Sequence, residues 1–178
     1  IPVDHLFSIN VLSKYFLKKR LKNLVVVSPD VGGLKLARAY SKLLDAPLAI
    51  VDKRRENAEQ TKVMNIIGDV RDRNVVLVDD LVSTASSLAE AVHVLKREGC
   101  LDVYAAIVHP VLAEPAIERI QNSELKELVV SDSIPIPPAK RIKKITVLSV
   151  APLLGEAIKR IHQNESVSVL FQKSAIEA

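Results

Sequence analysis

The sequence predicts a doubly wound α/β domain built on a mainly parallel sheet. Three observations carry this. Its apolar runs are short, continuous and rich in Val, Ile and Leu, with no alternating pattern. Segments with helical spacing separate these runs. The joints from run to helix are polar and rich in glycine or hydroxyl residues. A strand that is apolar on both sides must be covered on both faces, which only helices packed above and below a parallel sheet provide.

Taken in order, Leu24–Val27 is a first strand. Leu34–Leu44 follows with Leu34, Leu36, Ala37, Tyr40, Leu43 and Leu44 at helical spacing. Pro47–Val51 is a second strand. Residues 52–74 are a polar excursion, the candidate for a catalytic loop, with a short strand at Val63–Ile67. Val75–Val78 is a core strand that stops at Asp79 and Asp80. Leu88–Arg97 is a helix ended by Gly99, and Ser87 with Glu90 fits the Ser-x-x-Glu capping box at its start. Val103–Val108, Leu128–Val130 and Ile145–Val150 are further strands, with helices at Pro115–Gln121 and Leu153–His162. The proline-rich, basic segment Ile134–Lys144 reads as an exposed loop.

A length of 178 residues suits one domain. No apolar run approaches the ~20 residues of a membrane span, and the first residues lack a signal-peptide layout. Cys100 is the only cysteine, so no intrachain disulfide forms, in keeping with a cytoplasmic location. The net charge is +4, gathered at Lys18–Arg20, Lys53–Arg55 and Lys140–Lys144. Aromatic residues are only 3% of the chain, too few for a base-stacking platform, so no nucleic-acid partner is expected. Clustered cations suit small phosphorylated ligands as well. No Cys/His cluster or Ser-His-Asp set can be assembled, and His109, at the end of its strand, is as easily structural as functional.

Three segments carry chemistry. The first is Asp79-Asp80 with the hydroxyls of Ser83, Thr84, Ser86 and Ser87. In open parallel sheets, ligands bind beyond the carboxyl ends of the strands. Carboxylates there reach sugar hydroxyls or a phosphate-borne Mg²⁺, while hydroxyls and free amides at a helix start receive an anion. The second is Ser28-Pro-Asp-Val-Gly-Gly33, where paired glycines permit positive φ and close anion approach, and Asp30 offers a metal ligand. Alone it is a common tight turn; beside the first segment it gains meaning. The third is Lys53-Arg54-Arg55, cations that would face the same crevice and neutralise a transferring phosphoryl group.

Together, these segments resemble ribose-phosphate pyrophosphokinase, the phosphoribosyl pyrophosphate synthetase family. Val25–Gly33 is similar to its pyrophosphate loop, and Asp52–Arg55 to the start of its catalytic loop. Val63–Asp69, Val75–Asp80, Ala116–Ile120 and Ser149–Leu153 are also family-like, and the likeness runs from Ile1 to Phe171. The resemblance implies a type I phosphoribosyltransferase-like fold. It implies transfer of the β,γ-pyrophosphoryl group of ATP to the 1-hydroxyl of ribose 5-phosphate, with Mg²⁺, in nucleotide biosynthesis. By position it implies that Lys53 and Arg55 act in catalysis. Asp30, Val31, Gly32 and Gly33 would hold pyrophosphate, and Ser83, Thr84, Ala85, Ser86 and Ser87, with Asp79 and Asp80, ribose 5-phosphate. Asp30, Asp79 and Asp80 would meet the metal. It further implies a homo-oligomer, dimer or hexamer, regulated by phosphate or ADP.

Two departures stand out. The family's ribose-phosphate loop usually reads Asp-Asp-x-x-Asp-Thr-Ala/Gly-Gly-Thr. Here Ser83 replaces the third acid, Ser86 the glycine and Ser87 the last threonine. The first change removes a charge, and the second adds a Cβ where backbone must approach phosphate. Family members also have two such domains, and residues 1–178 match only the C-terminal one as a single domain. The N-terminal half, with a catalytic histidine and much of the adenine pocket, is expected to be missing from this chain. A non-catalytic regulatory subunit and a phosphoribosyltransferase are the alternatives.

Overall fold

Strands that are apolar on both sides leave the chain one economical solution, and the computed structural model adopts it. The structure describes residues 1, 3–54 and 63–171. Seven strands form one sheet: β1 (Leu24–Ser28), β2 (Leu48–Arg54), β3 (Val63–Ile67), β4 (Asn74–Val82), β5 (Val103–Pro110), β6 (Leu125–Ser131) and β7 (Ile145–Leu148). Their order is β3-β2-β1-β4-β5-β6-β7. Every neighbouring pair is parallel except β2–β3, an antiparallel hairpin at one edge.

Alternation along the strands feeds two cores. Val25, Val27, Val75 and Leu77 pack with α3 (Ser86–Arg97) and α4 (Ala116–Asn122) through Leu88, Val92, Leu95 and Ile120. Val26, Val76 and Val78 pack on the other face with α1 (Ile9–Lys19) and α2 (Leu34–Leu43) through Leu12, Phe16, Ala37 and Tyr40. The last helix, α5 (Ala151–His162), buries only Ala157 and leaves Leu154, Ile158 and Ile161 exposed.

The first connection, β1–α2–β2, runs to one side, and the chain then returns to lay β4 against the other side of β1. The direction of winding therefore reverses between β1 and β4. Side-by-side loops diverge at such a point and open a crevice at the strands' carboxyl ends.

Several expectations are corrected. Helix α1 was not anticipated, although Leu12 and Phe16 sit at i and i+4; the basic run Lys18–Arg20 masks its apolar face. Strand β4 does not stop at Val78 but continues to Val82, because its pairing with β5 extends to Val82 opposite Pro110. Asp79 and Asp80 are thus strand residues. The capping box at Ser87 does not form: α3 starts at Ser86, its N-cap is Ala85, and no side chain caps it. The basic segment before β7 is not simply a solvated loop. Lys140 donates to the Leu112 carbonyl and Arg141 to that of Ile136. Lys144 donates to the carbonyls of Ile120, Gln121 and Ser123, closing the carboxyl end of α4.

Candidate active site

The first two sequence segments leave the carboxyl ends of β1 and β4, the neighbouring strands where the winding reverses. The Asp30 turn leaves the end of β1. Ser28 is fully buried, and its hydroxyl donates to the Asp30 carbonyl at 2.6 Å. The Gly33 N–H donates to Asp30 Oδ1 at 3.0 Å. Neither Gly32 nor Gly33 adopts a positive φ, contrary to the expectation for this pair. Glycine is required at 33 for space instead: a Cβ there would lie 2.8 Å from Ser28 Oγ. Val31 is exposed on the same turn.

On β4, Asp79 is half-buried and Asp80 exposed. The Asp80 N–H donates to Asp79 Oδ1 at 2.9 Å. Burial pushes the Asp79 carboxyl up to about 6, and the negative charges of Asp80 and Asp30 add to this against the opposing Asp80 amide. Asp30 is thus near enough for its charge to act on Asp79. A site that raises a carboxyl in this way favours whatever brings positive charge to it. Among the described residues, no three His, Cys, Asp or Glu side chains form a ready-made metal cage. Mg²⁺ needs none: it is commonly held by one or two carboxylates plus substrate phosphates. The carboxylates of Asp30, Asp79 and Asp80 fit that requirement.

Beyond β4, residues 83–85 turn into α3. Ala85 takes the left-handed conformation (φ 57°, ψ 14°) with its methyl buried, and Ser86 then begins ordinary helix. A left-handed residue followed by a helical one turns successive N–H groups toward one side, as in an anion nest. Among the described residues, the N–H groups of Ala85, Ser86 and Ser87 meet no protein acceptor. The hydroxyls of Thr84 and Ser87 are exposed, and that of Ser86 lies 3.4 Å from Glu90 Oε1. Ser83 is half-buried. Since Ser86 stands in helical backbone, its Cβ carries no conformational strain.

Lys53 lies in β2, paired with Met64, three residues past the Ile50 that stands opposite Ser28. Its backbone therefore occupies the same end of the sheet, one strand over from the Asp30 turn. The Lys53 and Arg54 side chains, and Arg55 entirely, lie outside the described residues. His109 proves to be tied down: its Nδ1 is 2.9 Å from Ser133 Oγ. The same hydroxyl lies 3.2 Å from the Val108 carbonyl, which joins the end of β5 to the turn after β6.

Two roles at this rim are not assigned by the sequence reading. Ser28, which opens the second segment, is buried and props the Asp30 turn through its hydroxyl. Arg119 of α4 donates from Nη1 to the Thr84 carbonyl at 2.9 Å. No local spacing reveals that contact, which exists because β4 and β5 are neighbours and bring α3 and α4 together.

Comparison with known proteins places these features in context. The family model of the phosphoribosyl synthetase-associated domain matches residues 55–172. A ribose-phosphate pyrophosphokinase from Bacillus cereus is 52% identical over 171 residues, 96% of this chain and 54% of that protein. One from Corynebacterium ammoniagenes has the same identity and coverage, 52% over 171 residues. The chain thus spans about half the length of these curated relatives. Among solved structures, a phosphoribosylpyrophosphate synthetase from Mycobacterium smegmatis superposes with a TM-score of 0.85 at 34% identity, over 92% of this chain and 53% of that one. A purine phosphoribosyltransferase from Pyrococcus horikoshii shares the fold, with a TM-score of 0.52 at 21% identity, over 79% of this chain and 84% of its own.

Proposed function

As this chain belongs to the phosphoribosyl synthetase-associated domain family, we propose that it is the ribose 5-phosphate and catalytic-loop half of a ribose-phosphate pyrophosphokinase. The reaction is transfer of the pyrophosphoryl group of ATP to the 1-hydroxyl of ribose 5-phosphate. A bond forms from that oxygen to the β-phosphorus while the bond from this phosphorus to the α-phosphate oxygen breaks, and AMP leaves. Such transfers are accelerated by alignment and charge neutralisation.

The supporting observation is the convergence of the Asp30 turn and the Asp79–Ser87 segment on the reversal point between β1 and β4. In this reading the amides and hydroxyls of Ser83–Ser87 bind the 5-phosphate. Asp79 and Asp80 orient the ribose hydroxyls. Asp30, Val31, Gly32 and Gly33 receive the pyrophosphate, and Lys53 and Arg55 neutralise its developing charge. Mg²⁺, held through Asp30, Asp79 or Asp80 together with phosphate oxygens, supplies charge neutralisation at the transferred group. The domain is read as a single phosphoribosyltransferase-like unit of a two-domain enzyme. Homo-oligomeric assembly and a cytoplasmic setting belong to the same proposal. Among the described residues, no helix is long and apolar enough to cross a membrane.

Calorimetric titration with ribose 5-phosphate and with phosphoribosyl pyrophosphate, each with and without Mg²⁺, tests this reading. Saturable, Mg²⁺-dependent heat is expected; no heat with either ligand in any condition refutes it.

Ser83 and Ser86 favour a second reading, a non-catalytic subunit that adjusts the output of active relatives. The double substitution Ser83→Asp with Ser86→Gly separates the two in the complete polypeptide. A large gain in turnover supports the subunit, and full turnover before substitution eliminates it.

A further inference from the structure

We propose that Arg119 is a positioning residue for the phosphate loop: by holding the Thr84 carbonyl, it aims the Ala85 N–H at the bound 5-phosphate. This rests on the reading that residues 83–87 receive that phosphate.

The argument begins with the peptide plane. A trans peptide points its C=O and N–H in opposite directions. The Thr84 carbonyl is taken by Arg119 Nη1 at 2.9 Å, from the α4 side. The N–H of the same peptide, belonging to Ala85, must then point away from α4. Among the described residues it meets no acceptor. Rotating this one peptide would turn the carbonyl into the anion site, replacing a donor with an acceptor and a partial negative charge.

The loop is under tension at this peptide. Ala85 is left-handed, a conformation unfavourable for an L-residue with a Cβ, so something must hold it there. Three contacts do. The Leu112 N–H donates to the Val82 carbonyl at 3.1 Å, the Ala89 N–H to the Ala85 carbonyl at 3.0 Å, and Arg119 to the carbonyl between them. Only the Arg119 contact fixes the peptide whose amide opens the nest. It is also the only one with a formal charge, and a cation on a peptide carbonyl strengthens the donor at the other end of that peptide.

Arg119 is not a core strut. A groove of ≈ 460 Å³ runs beside it between α3 and α4, lined also by His93, Pro115, Glu118 and Asn122. Truncating the side chain therefore opens an existing groove wider and leaves no new void in either core. Its effect should appear in ligand binding ahead of stability.

The test titrates the chain, in Mg²⁺, with ribose 5-phosphate and compares Arg119→Met and Arg119→Lys. A charge-assisted hydrogen bond is worth about tenfold or more in an equilibrium. Arg119→Met should bind about tenfold more weakly and melt within about 2 °C of the parent. Arg119→Lys, which restores a cationic donor, should recover most of the affinity. If Arg119→Met fails to fold, Arg119→Gln takes its place. Unchanged affinity in the truncated variant overturns the proposal. So does a loss matched by a drop in melting temperature that Lys does not rescue. If the parent chain itself binds no ribose 5-phosphate, the proposed function fails, which is a different result from either of these.

Discussion

Asp79 shows how single residues at this site trade stability for binding capacity. Its carboxyl is raised to about 6 in the folded chain, above its ordinary value of 3.8. The folded state therefore holds the proton to higher pH than the unfolded one. Stability falls as pH rises through the window from about 4 to about 6, and remains lower above it. Asp79→Asn should consequently stabilise the ligand-free chain at pH 7 by about 1 kcal/mol, discounted for partial exposure, or about 3 °C in melting temperature. The gain should vanish near pH 4, and affinity for the Mg²⁺–ribose 5-phosphate pair should drop. Thermal melts across pH check the sign; a variant less stable at pH 7 contradicts it. Gly33 makes a second residue-scale case. Gly33→Ala places a methyl against Ser28 Oγ and should cost about 1–2 kcal/mol while weakening pyrophosphate binding. Ser28→Ala should restore part of that stability in the double variant, as a denaturation cycle would show. The sequence displayed the importance of Gly33 but misattributed its cause, because steric contact with a side chain five residues earlier depends on how the turn folds back. Asp30, Asp79, Asp80 and the hydroxyl loop were all legible as residue types ending apolar strands. The role of Arg119 was not, because its partner is a carbonyl 35 residues away.

At the scale of elements, the strands were the most readable feature, since a continuous run of Val and Leu has little use except between two covered faces. Their ends were less so. Strand β4 outruns its continuous apolar stretch because pairing with β5 carries on through half-buried Asp79 and exposed Asp80 and Leu81 to buried Val82. Helix α1 hid behind its charges, and one of those charges fastens it. Glu127 on β6 accepts hydrogen bonds from Tyr15 and Lys19 of α1 and from Thr146 of β7. Burial acts to raise the Glu127 carboxyl, but these three donors outweigh it and hold it below its ordinary value. A carboxyl lowered on folding stabilises above its unfolded value and loses that contribution as pH falls through the folded one. Glu127→Gln should therefore cost about 1 kcal/mol at pH 7 and progressively less below pH 4. Urea denaturation at the two pH values checks this, and an equal cost at both would contradict the assignment. The basic segment before β7 carries a related lesson. Three of its cations were visible in sequence as charge, yet each is used internally on backbone carbonyls.

For the whole molecule, the strand order matters more than any single motif. The reversal of winding between β1 and β4 brings two loops, separated by about fifty residues of sequence, to one crevice, and places Lys53 one strand over. Alternating strands and helices made the doubly wound class readable in advance, but strand order was not, because periodicity says nothing about which strands are neighbours. The central claim is that this crevice takes ribose 5-phosphate, with the amides after β4 meeting its phosphate. The most direct measurement is the ¹H–¹⁵N spectrum of the chain during titration with ribose 5-phosphate and Mg²⁺. Saturable shifts should concentrate at Ala85, Ser86 and Ser87, with smaller ones at Asp79, Asp80 and Gly33. Shifts confined to residues remote from the carboxyl ends of β1 and β4, or none at saturating ligand, would contradict the account.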